Sequence, residues 1–96
     1  LLFAQSGTPV KKKVLIALSA YGKGGGKIRP GFEFDEFSQA YLIFKANGLD
    51  IEVTSPKGGM VEADEYNKNK TYNKELLSDP VAMGMLQNTI PTANVN

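Results

Sequence analysis

Apolar and polar positions divide the first sixty residues into a strand, a helix and a second strand. Val14 to Leu18 is an unbroken apolar run, which predicts a strand buried on both faces, as in the centre of a parallel sheet. Leu49 to Ser55 alternates apolar and polar positions and contains β-branched residues, which predicts a second strand. Strand, helix and strand in this order form a βαβ unit.

The segment from Gly31 to Gly48 is predicted to be one amphipathic helix. Its rings recur at spacings of three, four and three residues, which places them on one stripe that packs as core; they are Phe34, Phe37, Tyr41 and Phe44. Asn47-Gly48 is the expected left-handed stop. The acids of the first turn are Glu33, Asp35 and Glu36, where a carboxylate offsets the positive end of the helix dipole.

A turn rich in glycine and lysine, AYGKGGGKIRPG, leads into the helix. It resembles a phosphate cradle but has neither the P-loop spacing nor the dinucleotide G-x-G-x-x-G spacing. We therefore interpret it as a flexible loop near a pocket, with a flavodoxin-like nucleotide binder as an alternative. Tyr21 and Gly31 lie on this loop, and ligands of parallel sheets gather at that edge, beyond the carboxyl ends of the strands.

After Met60 the pattern weakens into a polar loop. Residues 74–77 are consistent with a helical turn, and Asp79-Pro80 has the cap-then-proline form of a helix start, which predicts a short helix over 81–86. No third strong strand follows. Because two strands alone are marginally stable, we expect this chain to be one part of a larger α/β domain.

Composition excludes several classes of function. The net charge is +1, which gives no electrostatic case for nucleic acid or an anionic membrane. The chain has no Cys and no His, which removes disulfides, zinc sites built on thiolate or imidazole, and Ser–His or Cys–His catalysis within it. No metal and no cofactor is expected. Catalysis by this chain would use carboxylates, Lys, Tyr, hydroxyls or backbone groups.

Residues 1–10 are predicted to be a tail and residues 11–96 the folded part. Leu1 to Ser6, LLFAQS, has the form of the end of a signal peptide or of a disordered or cloning-derived terminus. The location of the protein therefore stays open between cytoplasmic and exported.

Three segments carry a resemblance to a known family. They are KKVLIALSAYG, then Gly31 with Asp35-Glu36 four and five residues on, then YLIFKANGLDIEVTSPKGG. Over about half of the chain, residues 12–59, this pattern resembles the N-terminal part of the ThiJ/PfpI superfamily, whose fold is that of class I glutamine amidotransferases. The nearest branch is the heat-inducible chaperone and glyoxalase III-like group.

The resemblance implies a fold and a site. The fold is a flavodoxin-like three-layer α/β sandwich with a parallel sheet, of which this chain supplies the N-terminal βαβ portion. Glu36 matches the family's glutamate that shares a proton with, or orients, a nucleophilic cysteine, and Tyr21 and Gly31 would line the substrate pocket. That cysteine and its histidine partner are absent here, and Pro30 replaces a common threonine.

Two functions of different class follow as hypotheses. The first is the N-terminal part of a cysteine-dependent glyoxalase III, deglycase-like or amidotransferase-like enzyme, a hydrolase or lyase that acts on small reactive aldehydes. Its partners would be the C-terminal remainder of the domain, from the same gene or a second chain, and a second copy in a homodimer. The alternative is a non-catalytic α/β binding or chaperone-like module.

Overall fold

The structure is a computed structural model that describes residues 2–7 and 12–95, with the backbone alone for residues 2–7. Its elements in chain order are the strands β1 (Leu2–Gly7) and β2 (Lys12–Ala17), the helix α1 (Phe34–Ala46), the strand β3 (Asp50–Ser55), the helices α2 (Thr71–Leu77) and α3 (Pro80–Gln87), the strand β4 (Ile90–Pro91) and a 3-10 turn (Thr92–Asn94).

The strands form one sheet in the order β1-β2-β3-β4. The pairs β2–β3 and β3–β4 are parallel, and β1 runs antiparallel to β2 along the sheet edge. The predicted fold class is confirmed: the chain is an α/β unit with a parallel sheet, consistent with the βαβ portion of a flavodoxin-like fold. Residues 2–7 fall inside the predicted tail and form β1, while the origin of Leu1 to Ser6 stays a prediction.

The strand β2 is buried on one face only. Val14 and Ile16 are buried, whereas Lys13, Leu15 and Ala17 are partly exposed. The prediction that β2 is covered on both faces is therefore wrong for the described residues. The physical reason is that the described helices share a single core with Val14 and Ile16, so the opposite face of the sheet carries no helix from this part of the chain.

Helix α1 follows the predicted stripe. Phe34, Phe37 and Tyr41 are buried, and Phe44 packs against the same core. The helix ends in a Schellman-type motif, because Gly48 has a φ of 70° and Leu49 N donates to the carbonyl of Phe44 at 3.1 Å. The predicted stop at Gly48 is confirmed.

The second half of the chain adds two short helices and a two-residue strand. Asp79 caps α3 by accepting hydrogen bonds from Val81 N at 3.0 Å and Ala82 N at 3.1 Å, with Pro80 at the first turn. The predicted start of this helix is confirmed. Hydroxyl groups add to the backbone pairing of β3 with β4. Thr54 Oγ1 donates to Ile90 O at 2.5 Å, and Ser55 Oγ lies 2.6 Å from Oγ1 of Thr89, the residue directly before β4.

Candidate functional site

The carboxyl edge of the parallel sheet is where the predicted site residues lie. The chain leaves β2 at Ala17 and β3 at Ser55, and Leu18 N still donates to Thr54 O at 2.9 Å. The loop of residues 19–33 then crosses this edge and enters α1. Tyr21, Gly31 and Glu36 all belong to this loop or to the first turn of α1.

Two glycines meet face to face within the loop. A Cβ atom on Gly22 would lie 2.6 Å from the Cα of Gly31, and a Cβ atom on Gly31 would overlap the carbonyl oxygen of Glu62. Gly31 N also donates to Asp64 Oδ1 at 2.6 Å. Gly31 therefore allows three backbone segments to approach one another, while its place in a substrate pocket stays a prediction.

The glycine turn is fastened to the segment of residues 62–65. Gly25 N donates to Glu62 Oε1 at 2.7 Å, and Glu65 N donates to Gly25 O at 2.8 Å. Lys27 Nζ pairs with Glu65 Oε1 at 3.0 Å. The interpretation of this turn as a flexible loop did not anticipate these contacts. They also count against a phosphate cradle, because the N–H groups of Gly25 and Gly31 already bind carboxylates of the same chain.

Tyr21 lies at the rim of the loop with 60% of its surface exposed. Its carbonyl oxygen accepts a hydrogen bond from Arg29 Nε at 2.9 Å, and the Arg29 guanidinium lies 5.4 Å from the centre of its ring. Because Gly22 follows Tyr21 and contacts Gly31, the structure brings Tyr21, Arg29 and Gly31 into one neighbourhood.

The two adjacent acids of α1 have different surroundings. Asp35 accepts hydrogen bonds from Asn73 Nδ2 at 2.7 Å and Lys70 Nζ at 3.0 Å, with Tyr72 Oη at 3.3 Å. Glu36 is exposed, and its carboxylate has no hydrogen bond or ion pair with any described residue. The expectation that Asp35 is an ordinary surface charge is wrong, because it joins α1 to α2.

Titration of Asp35 reflects these contacts. The hydrogen bond from Asn73, followed by that from Lys70, lowers the pKa of the Asp35 carboxyl below its ordinary value. The hydrogen bond between Lys70 and Asp35 in turn raises the pKa of the Lys70 ammonium group. Asp35 is therefore held as an anion that joins α1 to α2, and the role of Glu36 stays a prediction.

Two concavities of the described residues lie elsewhere. One of about 790 Å³ is at the far end of α1, where Lys45, Glu75 and Asp79 line it. An apolar groove of about 280 Å³ runs between α3 and the segment that follows Met60, with Phe32, Tyr66 and Met83 in its walls. Neither includes Tyr21, Gly31 or Glu36.

Within residues 12–95, no group of His, Cys, Asp and Glu side chains has an arrangement that could hold a metal ion. No helix in that part of the chain is long and apolar enough to cross a membrane.

Sequence reasoning missed Glu62, Asp64 and Arg29 as members of this region. The acids fall in the polar stretch VEADEY, and nothing in its local pattern shows that it returns to a loop more than thirty positions earlier. One signal could have suggested the pairing: three acids are clustered in this stretch, and the glycine-rich loop carries three basic residues and no acid.

Comparison with known proteins supports the fold and corrects the family. No family model matches the chain, and no curated protein matches it. A solved structure, that of the Rapid Encystment Protein 24 KDa (REP24) of Francisella tularensis, superposes with a TM-score of 0.70 at 20% sequence identity. The match covers 85% of this chain and 38% of REP24, so the chain spans less than two fifths of that protein.

The assignment to the ThiJ/PfpI superfamily is therefore wrong: no family model supports it, and the structural match found is to REP24. The segments that suggested it are a buried strand, an aromatic helix stripe with its glycine stop, and a second strand followed by Ser-Pro-Lys-Gly-Gly. Strands joined by an amphipathic helix, with turn residues at their ends, occur in βαβ units of many families. The three segments therefore indicated the fold correctly, but they did not identify the family.

Proposed function

We propose that the chain is the N-terminal part of a larger α/β enzyme domain, in which Glu36 moves protons for a nucleophile that lies outside these residues. The observation that carries the proposal is the contrast between neighbours. The fold engages Asp35 in three hydrogen bonds, whereas the Glu36 carboxylate has no partner among the described residues. Glu36 lies in the first turn of α1, near the carboxyl edge of the sheet where ligands of such folds bind.

The proposed reaction begins on a small reactive aldehyde. A cysteine of the remaining domain would transfer its thiol proton to the Glu36 carboxylate, and the thiolate would add to the carbonyl carbon. The proton would then pass from Glu36 to the former carbonyl oxygen, which gives a hemithioacetal. The chain contains no cysteine, so this step needs the partner segment.

The test is turnover of methylglyoxal by the protein at its natural length. Glu36→Gln should lower kcat by about a hundredfold or more, as expected for loss of a general base. Glu33→Gln, which removes an exposed acid three positions earlier, is the matched control and should retain activity. Equal activity in the two variants, or absence of turnover in the unaltered protein, would refute the proposal.

A chaperone-like module is the second candidate, and the apolar groove favours it. Met60 at its margin is 73% exposed, and an exposed apolar patch is a feature of sites that bind other protein chains. This alternative predicts that suppression of aggregation of a model substrate survives Glu36→Gln and falls with Met60→Ser. If Met60→Ser leaves suppression unchanged, the groove is not the binding surface.

A further inference from the structure

Arg29 is the one arginine of the sequence, and its side chain is held without being neutralised. Its Nε–H donates to Tyr21 O at 2.9 Å, and its guanidinium lies over the Tyr21 ring at 5.4 Å. Its backbone pairs with Lys23 across the glycine turn, with Lys23 N donating to Arg29 O at 3.1 Å. The guanidinium is thus positioned before any ligand arrives.

The neighbouring acids are all engaged with other groups. Glu62 accepts from Gly25 N, Asp64 accepts from Gly31 N, and Glu65 pairs with Lys27. No carboxylate of residues 12–95 pairs with Arg29. The turn carries three cations, Lys23, Lys27 and Arg29. Among the described residues Lys27 pairs with an acid, whereas Arg29 keeps the N–H groups of its two terminal nitrogens.

Free terminal N–H groups on a fixed guanidinium match oxyanions, which are carboxylates and phosphates. Of these, the carboxylate is the group that a small carbonyl substrate of the proposed enzyme can carry. A guanidinium offers five N–H donors in a planar fork, and a carboxylate accepts two of them side by side. Here Nε–H is used by Tyr21 O, which leaves the terminal nitrogens available for such a bidentate pair. Stacking on an aromatic ring keeps the fork in one plane and reduces the entropy lost when a ligand binds.

We propose that Arg29 binds the carboxylate of a small substrate, so that the protein takes carboxylate-bearing carbonyl compounds, such as 2-oxo acids, in preference to neutral aldehydes. The guanidinium contacts Tyr21, in the loop that leads from the carboxyl end of β2 into the first turn of α1, where Glu36 lies. The proposed substrate class rests on the proposed function, because the reaction belongs to that enzyme. The binding of a carboxylate by Arg29 does not depend on it.

The test compares the binding of two ligands that differ in one group. Oxamate is an unreactive 2-oxo acid analogue with a carboxylate, and oxamide is its uncharged counterpart, in which an amide replaces that carboxylate. Binding to the natural-length protein is followed by NMR shifts of the amides around Tyr21 and Arg29. Oxamate should bind and oxamide should bind at least about tenfold more weakly, because a charge-assisted pair is lost.

Three variants assign the effect to Arg29. Arg29→Gln should weaken oxamate binding by about tenfold or more, and Arg29→Lys should weaken it less, since it retains the charge without the fork. Lys23→Gln removes an equal charge from the same turn and should change the affinity less than about twofold. Amide spectra of the unliganded variants show whether each is folded, and Arg29→Lys remains informative if Arg29→Gln is not.

Equal binding of oxamate and oxamide, equal loss in Lys23→Gln and Arg29→Gln, or no binding of oxamate would overturn the inference. These outcomes are independent of methylglyoxal turnover, which tests the proposed function. If oxamate binds but methylglyoxal is not turned over, the Arg29 site is supported and the proposed enzyme function is refuted. If methylglyoxal is turned over but oxamate binds no better than oxamide, the enzyme function is supported and the Arg29 site is refuted.

Discussion

Asn73 donates from Nδ2 to Asp35 Oδ1 at 2.7 Å and so links α2 to the first turn of α1 across 38 positions of sequence. The Asn73 side chain is fully buried and also accepts from Ser38 Oγ at 2.6 Å. It donates to Asn67 O at 3.0 Å as well. A single amide therefore satisfies three polar groups, and it keeps the turn that presents Glu36 in place.

Replacing Asn73 by Ala should destabilise the protein by about 2 kcal/mol, because buried partners lose their hydrogen bonds. Urea unfolding measures the change as a lower midpoint. Asn69→Ala is the matched control, since Asn69 is exposed and surface changes usually stay within about 0.5 kcal/mol. Similar midpoints for the two variants would show that the Asn73 amide contributes little.

Stability should fall in acid through Asp35. Its pKa is lowered in the folded state, first by the hydrogen bond from Asn73 and then by Lys70, so the unfolded chain binds its proton more readily. The contribution of Asp35 is complete above the unfolded carboxyl pKa of about 3.9. It is lost as pH falls through the lower, folded pKa.

Asp35→Asn should therefore reduce the dependence of unfolding free energy on pH below about 4. Part of the slope should persist, because the hydrogen bond from Lys45 likewise lowers the pKa of Asp79. Urea titrations at several acidic pH values measure the slope. Parallel curves for the variant and the unaltered protein would contradict this account of Asp35.

Asp79 has two separable roles at the start of α3. It caps the helix through Val81 N and Ala82 N, and it pairs with Lys45 Nζ at 2.8 Å. Asn is as good a cap as Asp, so Asp79→Asn should retain most of the stability, whereas Asp79→Ala should lose about 1 kcal/mol more. Thermal unfolding of both variants measures the difference. If both lose the same amount, the charge pair matters more than the cap.

Local patterns were sufficient for the elements whose signals lie within a few residues. The stripe of Phe34, Phe37 and Tyr41, the stop at Gly48 and the cap at Asp79 are each set by neighbours in sequence, and each was predicted correctly. Helix α1 begins at Phe34, three residues later than predicted, because Gly31 is occupied in the close approach to Gly22.

Contacts between distant segments were not predictable in the same way. The hydrogen bonds of Asp35 with Asn73 and of Gly31 with Asp64 join positions more than thirty apart. Because these partners are distant in sequence, Asp35 was interpreted as a surface charge and the glycine turn as a flexible loop. The role of Glu36 stays a prediction, since its supposed chemical partner is not among these residues.

Two glycine substitutions separate close packing from backbone freedom. Gly31 is flanked by the Glu62 carbonyl and by Gly22, and neither is a flexible side-chain end that could move aside. Gly31→Ala should cost about 1–3 kcal/mol or more through overpacking. Gly84 lies inside α3 with no atom within 4 Å of an added Cβ, so Gly84→Ala should stabilise by about 0.5–1 kcal/mol, since a helical glycine is entropically costly. Urea midpoints should move in opposite directions, and a neutral Gly31→Ala would mean that the loop is not held against the Glu62 carbonyl in solution.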